Sequence, residues 1–395
     1  MSAGAQPRVF LDHNATSPLR PQARAAMIDA LDRGGNASSI HADGRAARQR
    51  VEQARMEIAA LTAADPRGIV FTSGASEANA LGLSPELDIQ GRRVTCDVLL
   101  AGAGEHPSVL SGHRFGPDQV ELLPLAADGR LDLEALDAAL ARHAAAGRRA
   151  LVSVMLANNE TGILQPVAEA SARARAHGAV VHCDAVQGAG RVPIDVARLG
   201  VDFLTVSSHK MGGPQGAGAL VAGHGDTMVR HPLIGGGGQE RGRRAGTENV
   251  AALAGFGAAA RAAGADLSAE GPRLAGLRDR LEAGLLTLAP DAIILGVGVE
   301  RLANTSCVIF PGIRAETLVI ALDLAHLSVS AGSACSSGKV GASHVLRAMG
   351  LAEDQARGAI RLSLGWSSTD EDIDAALAAI GHAVPRLRNR PERAA

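Results

Sequence analysis

The chain has 395 residues, of which 46% are hydrophobic and 20% are charged, and its formal net charge at pH 7 is −2. This composition is typical of a globular protein, and the small net charge gives no electrostatic support for binding to nucleic acid or to an anionic membrane. The N-terminal residues lack the apolar core of a signal peptide, and no later stretch approaches the ~20 apolar residues of a membrane span, so we expect a cytoplasmic protein. Because a single hydrophobic core stops growing at about 250–300 residues, the length predicts two domains.

Predicted strands and helices alternate along the chain, which favours an α/β fold with a mainly parallel sheet covered by helices on both faces. Apolar runs that end in glycine or small polar residues predict strands at 68–74, 150–159, 179–185, 201–208, 217–223, 304–312 and 359–365. Helical spacing of apolar residues and terminal glycines predict helices at 75–82, 131–147 and 166–178. The helix-rich segment 251–285 predicts the crossing into a second domain.

The four cysteines lie far apart, at positions 96, 183, 307 and 335. They form no CxxC pair and no Cys/His cluster with the spacing of a zinc site, so we expect neither a metal site nor a disulfide framework. Cys96 and Cys307 lie in apolar, strand-like runs that are typical of a core. Cys335 lies among the glycines and serines of SVSAGSACSSGKVGASHV, which predicts a loop that holds one nucleophile. A structural cysteine in an ordinary linker is the alternative.

Two residues at the ends of predicted strands have the chemistry of a pyridoxal-phosphate site. Lys210 follows the strand at 201–208 and Asp184 lies near the end of the strand at 179–185, so both reach the edge where ligands bind in open α/β sheets. A desolvated lysine forms a Schiff base, and a carboxylate paired with a pyridine nitrogen keeps that nitrogen protonated. For each residue alone, a solvated loop lysine and a helix-capping aspartate are the alternatives.

A phosphate group also needs donors, and the turn before the helix at 75–82 offers them. The backbone amides at 74–76 and the Ser76 hydroxyl lie at a helix N-terminus, which favours an anion. An ordinary helix cap gives the same pattern. Ser207 and His209 would add donors from a different strand, and His106 could lie flat against an aromatic ring, although an ordinary surface or core histidine is the alternative.

Nine motifs resemble, in order and approximate spacing, those of cysteine desulfurases of the NifS/IscS type: FLDHNATSP, FTSGASEAN, GEHPSV, MLANNETG, HCDAVQ, SSHKMGGPQG, GGGGQERGRRAGTEN, SAGSACSS and IRLSLG. The resemblance runs from about Val9 to Leu377. It implies the class V aminotransferase fold, which is fold type I of the pyridoxal-phosphate-dependent transferases. The resemblance also implies two domains. The large domain, at 15–261, binds the cofactor, and the smaller α+β domain, at 1–14 and 262–395, carries the Cys335 loop.

The resemblance further implies a homodimer that takes sulfur from L-cysteine, releases L-alanine and leaves a persulfide on Cys335. An iron–sulfur scaffold or another acceptor protein would receive the sulfur. Lys210 resembles the Schiff-base lysine, Asp184 the partner of the pyridine nitrogen, and His106 the ring-stacking histidine, which is also a candidate to move protons. The other cofactor-binding positions that the resemblance implies are Ala75, Ser76, Asn159, Gln187, Ser207 and His209, together with Thr247, which reaches the phosphate of the neighbouring subunit.

On the substrate side, Arg361 resembles the arginine that grips the substrate carboxylate with its planar fork, and Asn36 and Asn159 match positions near it. The catalytic residues that the resemblance implies are Cys335, Lys210 and His106. Two positions depart from the family's pattern. Ala37 stands where proline is usual, and Ser76 stands where threonine is commoner but keeps the hydroxyl.

Three other functions stay open at this stage. A class V aminotransferase shares Lys210 and Asp184 but needs no Cys335, and keto-acid production without sulfide would identify it. A selenocysteine lyase uses nearly the same site, and comparing turnover of the two amino acids would separate them. A non-enzymatic sulfur carrier or assembly scaffold needs the loop thiol alone, so an uncoloured purified protein would favour it.

Overall fold

The computed structural model describes residues 8–332 and 342–388, and Cys335 lies outside this part of the chain. The helices are α1 (Pro21–Arg33), α2 (Ala42–Thr62), α3 (Ala75–Gly82), α4 (Pro107–Leu110), α5 (Leu133–Ala145), α6 (Val167–Ala176), α7 (Val196–Leu199), α8 (Val250–Leu288), α9 (Ala315–Leu324), α10 (His344–Ala348), α11 (Glu353–Gly358) and α12 (Asp370–Arg388). The strands are β1 (Val9–Phe10), β2 (Ile69–Thr72), β3 (Glu86–Ile89), β4 (Arg92–Thr95), β5 (Val98–Gly102), β6 (Val120–Leu123), β7 (Ala150–Ser153), β8 (Val180–Asp184), β9 (Phe203–Ser207), β10 (Gly218–Ala222), β11 (Met228–Val229), β12 (Ile293–Ile294), β13 (Thr305–Ile309), β14 (Leu327–Ser328), β15 (Ser330–Ala331) and β16 (Ala359–Ser363).

A seven-stranded sheet with the order β2-β10-β9-β8-β7-β5-β6 forms the centre of the fold. Neighbouring strands pair in parallel from β6 through β9, whereas β10 is antiparallel to both β9 and β2. The connection 208–217 is too short for the crossover that a parallel neighbour needs, which explains the reversed β10. The central strands are buried along their whole length, as expected under helices on both faces. The predicted α/β fold with a mainly parallel sheet is confirmed.

Some elements differ from the sequence-based expectation. The predicted strand at 150–159 ends at Ser153, and the residues after it form turns that carry Asn159 toward the sheet edge. The sequence analysis did not predict α1, α2 or the small antiparallel sheet of β11, β3 and β4. The α1 helix begins without a capping side chain and α2 is capped by His41. Neither start therefore carries the Ser, Thr, Asp or Asn that usually marks a helix N-terminus.

A second, antiparallel sheet with the order β12-β13-β16-β15 packs around a separate apolar core. Helix α8 connects the two cores, because Phe256 and Ala259 pack in the core of the central sheet whereas Leu281 and Leu285 pack in the second core. The predicted domain boundary between 261 and 262 falls within this helix. The two-domain division stays a prediction.

Within the described residues, α8 is the one helix that is long and apolar enough to cross a membrane, judged by length and composition alone. Half of its most apolar window is buried inside the protein. It packs against α1 and α2, so α8 acts here as a core helix.

The contact between α2 and α8 requires a glycine. A Cβ atom at Gly257 would lie 2.6 Å from the Cα atom of Ala54 and 2.9 Å from its Cβ atom. The two helix backbones are therefore too close for any side chain at this position. Gly276, farther along α8, has no such neighbour, since a Cβ atom there would meet nothing within 4 Å.

Gly257→Ala should destabilise the fold, because the added methyl group must push α2 away from α8. We expect the free energy of unfolding to fall by about 1–3 kcal/mol, measured by denaturant titration and circular dichroism. Gly276→Ala is the matched control, and it should keep or raise the stability by up to about 1 kcal/mol because alanine suits a helix better. Equal stability of the two variants would contradict the packing described here.

Candidate functional site

A cavity of about 540 Å³ opens at the edge of the central sheet where β8 and β9 end. Its volume is typical of sites for small molecules. Ten of the residues singled out in the sequence line it: Ala75, Ser76, His106, Asn159, Asp184, Gln187, Ser207, His209, Lys210 and Arg361.

Strand direction explains why these distant residues meet. Strand β8 ends at Asp184, β9 ends at Ser207, and the short 3₁₀ turn that follows β9 ends at Lys210. Since β8 and β9 are parallel neighbours, their carboxyl ends lie side by side. The structure thus places Lys210 and Asp184 in one cavity, and the roles assigned to them stay predictions.

The amine of Lys210 is held by the segment that follows β1. Its Nζ atom donates to the carbonyl oxygens of Asn14 (2.5 Å) and Ala15 (2.9 Å). Nε2 of Gln187 donates to the same Asn14 carbonyl oxygen at 3.0 Å. One peptide group therefore positions two of the side chains that line the cavity.

The side chain of Asn14 connects the cavity to the second sheet. Its Oδ1 atom accepts from Nη1 of Arg191 (2.7 Å) and from Nδ2 of Asn304 (3.1 Å), and its Nδ2 atom donates to Oγ1 of Thr305 (2.9 Å). Arg191 also donates to Oε1 of Gln187 at 2.6 Å. Burial, with a smaller contribution from the charge of Arg361, lowers the pKa of Arg191 to about 9.

A chain of hydrogen bonds joins Asp184 to His106. Nδ2 of Asn79 donates to Oδ2 of Asp184 (2.8 Å) and to Oγ of Ser108 (2.9 Å). Oγ of Ser108 lies 2.8 Å from Nδ1 of His106, and the backbone N–H of Ser108 donates to the same nitrogen at 3.1 Å. Because Nδ1 is the acceptor, the proton of the neutral ring lies on Nε2.

Burial sets the charge state of two neighbours of Asp184. It lowers the pKa of His106 more than the attraction of Asp184 raises it, and Lys210 lowers this pKa further. Burial also raises the pKa of Glu105 well above its usual value, and the negative charge of Asp184 adds to that shift. Burial therefore favours the uncharged form of both groups.

Arg361 lies buried in β16 with part of its hydrogen-bonding capacity unused. Nη1 donates to the carbonyl oxygen of Asn159 (2.9 Å), and Nη2 donates to Oδ1 of Asp12 (2.8 Å). The Nε atom has no hydrogen-bond partner among the described residues. Because Arg361 lines the cavity and carries a positive charge, its guanidinium suits an acidic ligand group.

The start of α3 has the open backbone that an anion needs. A Cβ atom on Gly74 would meet nothing within 4 Å, whereas one on Gly218 would lie 2.6 Å from the carbonyl carbon of Gly74. Glycine at 218 therefore lets β10 approach the turn before α3. Nearby, burial and the charges of Lys210 and Arg191 lower the pKa of His209 to about 4, so its ring is neutral at neutral pH.

Three predicted site residues are not in this cavity. Asn36 and Thr247 are exposed and lie outside it. Their chain neighbours Ser38 and Glu248 line another cavity, of about 620 Å³. Cys335 lies outside the described residues. Among the residues that the structure describes, no group of three or more His, Cys, Asp or Glu side chains is arranged to hold a metal ion.

The sequence analysis missed several residues that organise the site. Asp12 and Asn14 lie in the FLDHNATSP motif, but no spacing rule shows that they bind side chains of β13 and β16. Asn79 lies one helical turn after Ser76, so its position on the same face of α3 was a usable signal. Nothing in the sequence indicates the contacts of Arg191.

Comparison with known proteins identifies the family of this chain. The family model for class-V aminotransferases matches residues 9–376. The chain belongs to the class-V aminotransferase family. It is 40% identical to a cysteine desulfurase of Sinorhizobium fredii, over 97% of this chain and 98% of that protein. It is 41% identical to an IscS-like cysteine desulfurase of Mycobacterium tuberculosis, over 96% of this chain and 97% of that protein.

Solved structures of class-V aminotransferase relatives agree with these matches. A NifS-like protein from Rickettsia africae superposes with a TM-score of 0.85 at 34% identity, covering 96% of this chain and 99% of that one. A structure of SspA in complex with cysteine superposes with a TM-score of 0.73 at 28% identity, covering 90% and 98%. The resemblance to cysteine desulfurases of the NifS/IscS type and the expected family fold are confirmed.

Proposed function

We propose that the protein is a pyridoxal-phosphate-dependent cysteine desulfurase, which converts L-cysteine to L-alanine and leaves a persulfide on Cys335. The observation that carries this proposal is the meeting of Lys210, Asp184 and Arg361 in one cavity. Cysteine desulfurases are similar to this chain over nearly its full length. The cysteine bound to SspA supports the same substrate class.

The donor set around the cavity fits pyridoxal phosphate. Lys210 offers an amine for covalent attachment. Asp184 offers a buried carboxylate whose orientation is fixed by Asn79 and by the backbone amide of Val186 (3.0 Å from Oδ1). The start of α3 offers backbone amides to a phosphate group. When bound, the cofactor supplies an electron sink for bond breaking at the substrate α-carbon.

The positions of the side chains suggest their tasks. Arg361 lines the cavity and binds the substrate carboxylate through its guanidinium group. Lys210 would hold the cofactor through its amine and, with that amine free, would remove the substrate α-proton. His106 is neutral because of burial, and it is suited to exchange a proton with the substrate thiol.

Cys335 completes the reaction as the sulfur acceptor. Its thiolate attacks the sulfur atom of the substrate, so that an S–S bond forms and the C–S bond breaks. The electron pair of the broken bond stays with the β-carbon. Protonation of the β-carbon and return of a proton to the α-carbon then give L-alanine. The persulfide passes to an acceptor protein in the cytoplasm, for which an iron–sulfur scaffold is one candidate.

The three cysteines in the described part of the chain are poor alternatives to Cys335. All three are buried: Cys96, Cys183 and Cys307. Burial raises the pKa of Cys96 and of Cys307 to about 12, and it raises the pKa of Cys183 well above its usual value. Because the thiolate is the nucleophile, these thiols react slowly at neutral pH.

A homodimer would explain why Asn36 and Thr247 lie apart from the cavity of their own chain. Both residues are exposed. Ile40, close to Asn36 in sequence, is 90% exposed, and Leu233 and Ile234 are exposed in the glycine-rich stretch before Thr247. Exposed apolar side chains of this kind are typical of protein interfaces. In the proposed dimer, each subunit contributes Thr247 to the phosphate site of its partner.

Covalent attachment of the cofactor can be assigned cleanly, because Lys210 and Lys339 are the only lysines in the sequence. Borohydride reduction followed by peptide mass spectrometry should find the cofactor on Lys210. Lys210→Ala should lose the absorbance of the attached cofactor and more than about 100-fold of the turnover rate. Lys339→Ala is the matched control and should keep the attachment. Cofactor attached to Lys339 would contradict the assignment.

Cys335→Ser should separate the two halves of the reaction, because a hydroxyl stays protonated near neutral pH and attacks sulfur poorly. Cofactor binding and α-proton exchange in deuterated solvent should persist. Alanine formation and persulfide labelling should fall more than about 100-fold. Serine variants of Cys96, Cys183 and Cys307 are the controls and should retain turnover per folded molecule. If Cys335 is merely structural, Cys335→Ser will change stability but leave turnover nearly normal.

Thr247→Ala should weaken cofactor binding about 10-fold, since a hydrogen bond to a charged phosphate is lost across the dimer interface. Subunit exchange tests the crossing directly. The assay uses a cofactor concentration that loads wild type but leaves the Thr247→Ala dimer mostly empty. A heterodimer of Lys210→Ala and Thr247→Ala subunits contains one site with both residues intact, so under these conditions it should regain about half of the wild-type activity. Activity that stays at the average of the two parent dimers would show that Thr247 serves its own subunit.

A further inference from the structure

The N-terminus of α10 is tied to two loops of the candidate site. Oγ of Ser343 donates to Oε2 of Glu160 at 2.5 Å, and Nε2 of His344 lies 2.9 Å from the carbonyl oxygen of Glu105. Glu160 follows Asn159 in the chain, and Glu105 precedes His106. Ser343 also caps α10, because its Oγ atom accepts from the backbone N–H of Leu346 at 3.1 Å.

Glu160 lies between these contacts and the arginine of the cavity. Its side chain is buried, with the residue 4% exposed. The carbonyl oxygen of Asn159 accepts from Arg361, and the charge of Arg361 acts on the Glu160 carboxyl group. On the other side, a Cβ atom at Gly332 would lie 3.4 Å from Oε2 of Glu160. One carboxyl group therefore adjoins Gly332 and Ser343, which are described residues on the two sides of the 333–341 segment.

We propose that Glu160 is a positioning residue for the sulfur-transfer step, because it links Ser343 to the loop of Asn159 and to Arg361. This inference rests on the proposed function. Cys335 lies between Gly332 and Ser343 in the sequence, and the hydrogen bond to Glu160 holds the second of these two described residues. Glu160 takes no part in removal of the α-proton, which depends on Lys210.

The strength of this contact depends on pH. Burial raises the pKa of Glu160 to about 7, while the hydrogen bond from Ser343 and the charge of Arg361 lower it in part. Because the Ser343 bond lowers this pKa, the ionised carboxylate must hold Ser343 more tightly than the neutral acid does. The contact therefore tightens as pH rises through about 7.

The other ionisable groups around Glu160 do not account for a change near pH 7 in its contact with Ser343. Arg361 on β16 is paired with Asp12, which precedes Asn14. Cys307 on β13 is neutral near pH 7, because burial raises its pKa to about 12. His344 binds the carbonyl oxygen of Glu105 and not the carboxyl group of Glu160. Glu160→Gln removes the titration at this position and keeps both the volume and an acceptor for Ser343.

Hydrogen exchange tests the contact without any reaction. At pH 6, with intrinsic rates corrected, the amides of α10 should exchange equally in wild type and Glu160→Gln. At pH 8, they should exchange about fivefold faster in the variant, because a bond to an ionised acceptor is stronger than one to a neutral acceptor. Glu353→Gln, at an exposed position on α11, should match wild type at both pH values. Equal exchange of wild type and Glu160→Gln at pH 8 would overturn the proposal.

Kinetics of the loaded enzyme test the functional part. Two rates are measured at saturating cysteine, that of alanine formation and that of α-proton exchange. The first divided by the second reports the efficiency of the sulfur-transfer step. The ratio for Glu160→Gln should match wild type at pH 6 and fall about fivefold below it at pH 8. An unchanged ratio at both pH values would refute a role in sulfur transfer. Wild-type protein that converts no cysteine would refute the proposed function, whereas the exchange experiment would still decide the contact.

Discussion

The candidate site depends on one peptide group, the carbonyl of Asn14, which accepts hydrogen bonds from Lys210 and Gln187. The side chain of the same residue binds Arg191 of the central fold and Asn304 next to the second sheet. A single buried hydrogen bond contributes only about 1 kcal/mol, but leaving a buried partner unsatisfied costs about 1–3 kcal/mol. Replacement of Asn14 would leave several buried groups without a hydrogen-bond partner at once, including the guanidinium of Arg191. The segment that follows β1 thus fixes the cavity by linking the central fold to the second sheet.

Burial then distributes charge around the cavity. Burial lowers the pKa of His106 and raises the pKa of Glu105 for the same reason, because removal from water disfavours the ionised form of each group. Asp184 accepts hydrogen bonds from Asn79 and from a backbone amide, which fix the orientation of its carboxyl group. Burial raises the pKa of Glu160 to about 7. Neighbouring carboxyl groups therefore acquire different tasks from their surroundings rather than from their chemistry.

Several features of the fold could be predicted because they depend on local patterns. Strands β8, β9 and β13 are continuous apolar runs, and α5 combines helical spacing with an Asp132 cap, so each was identified. The same reasoning brought Lys210 and Asp184 to one sheet edge, because parallel strands end together. It missed α2, whose cap is a histidine, and overextended β7, whose apolar residues continue into a buried turn. In most strands the buried apolar run ends where strand pairing ends, but after β7 the buried run continues beyond the paired residues.

By itself, the sequence determined most strands of the central sheet, its mainly parallel character, the burial of Cys96 and Cys307, and a resemblance strong enough to indicate the family. These follow from residue periodicity and from motifs that are continuous in the chain. Only the tertiary structure decided three other features. These are the contacts of Asn14, the hydrogen-bond chain from Asp184 through Asn79 and Ser108 to His106, and the position of Glu160 near Ser343 and Arg361. Their partners are separated by up to 349 residues in the chain, and their protonation depends on how much water each site excludes. Neither quantity is encoded in any short stretch of residues.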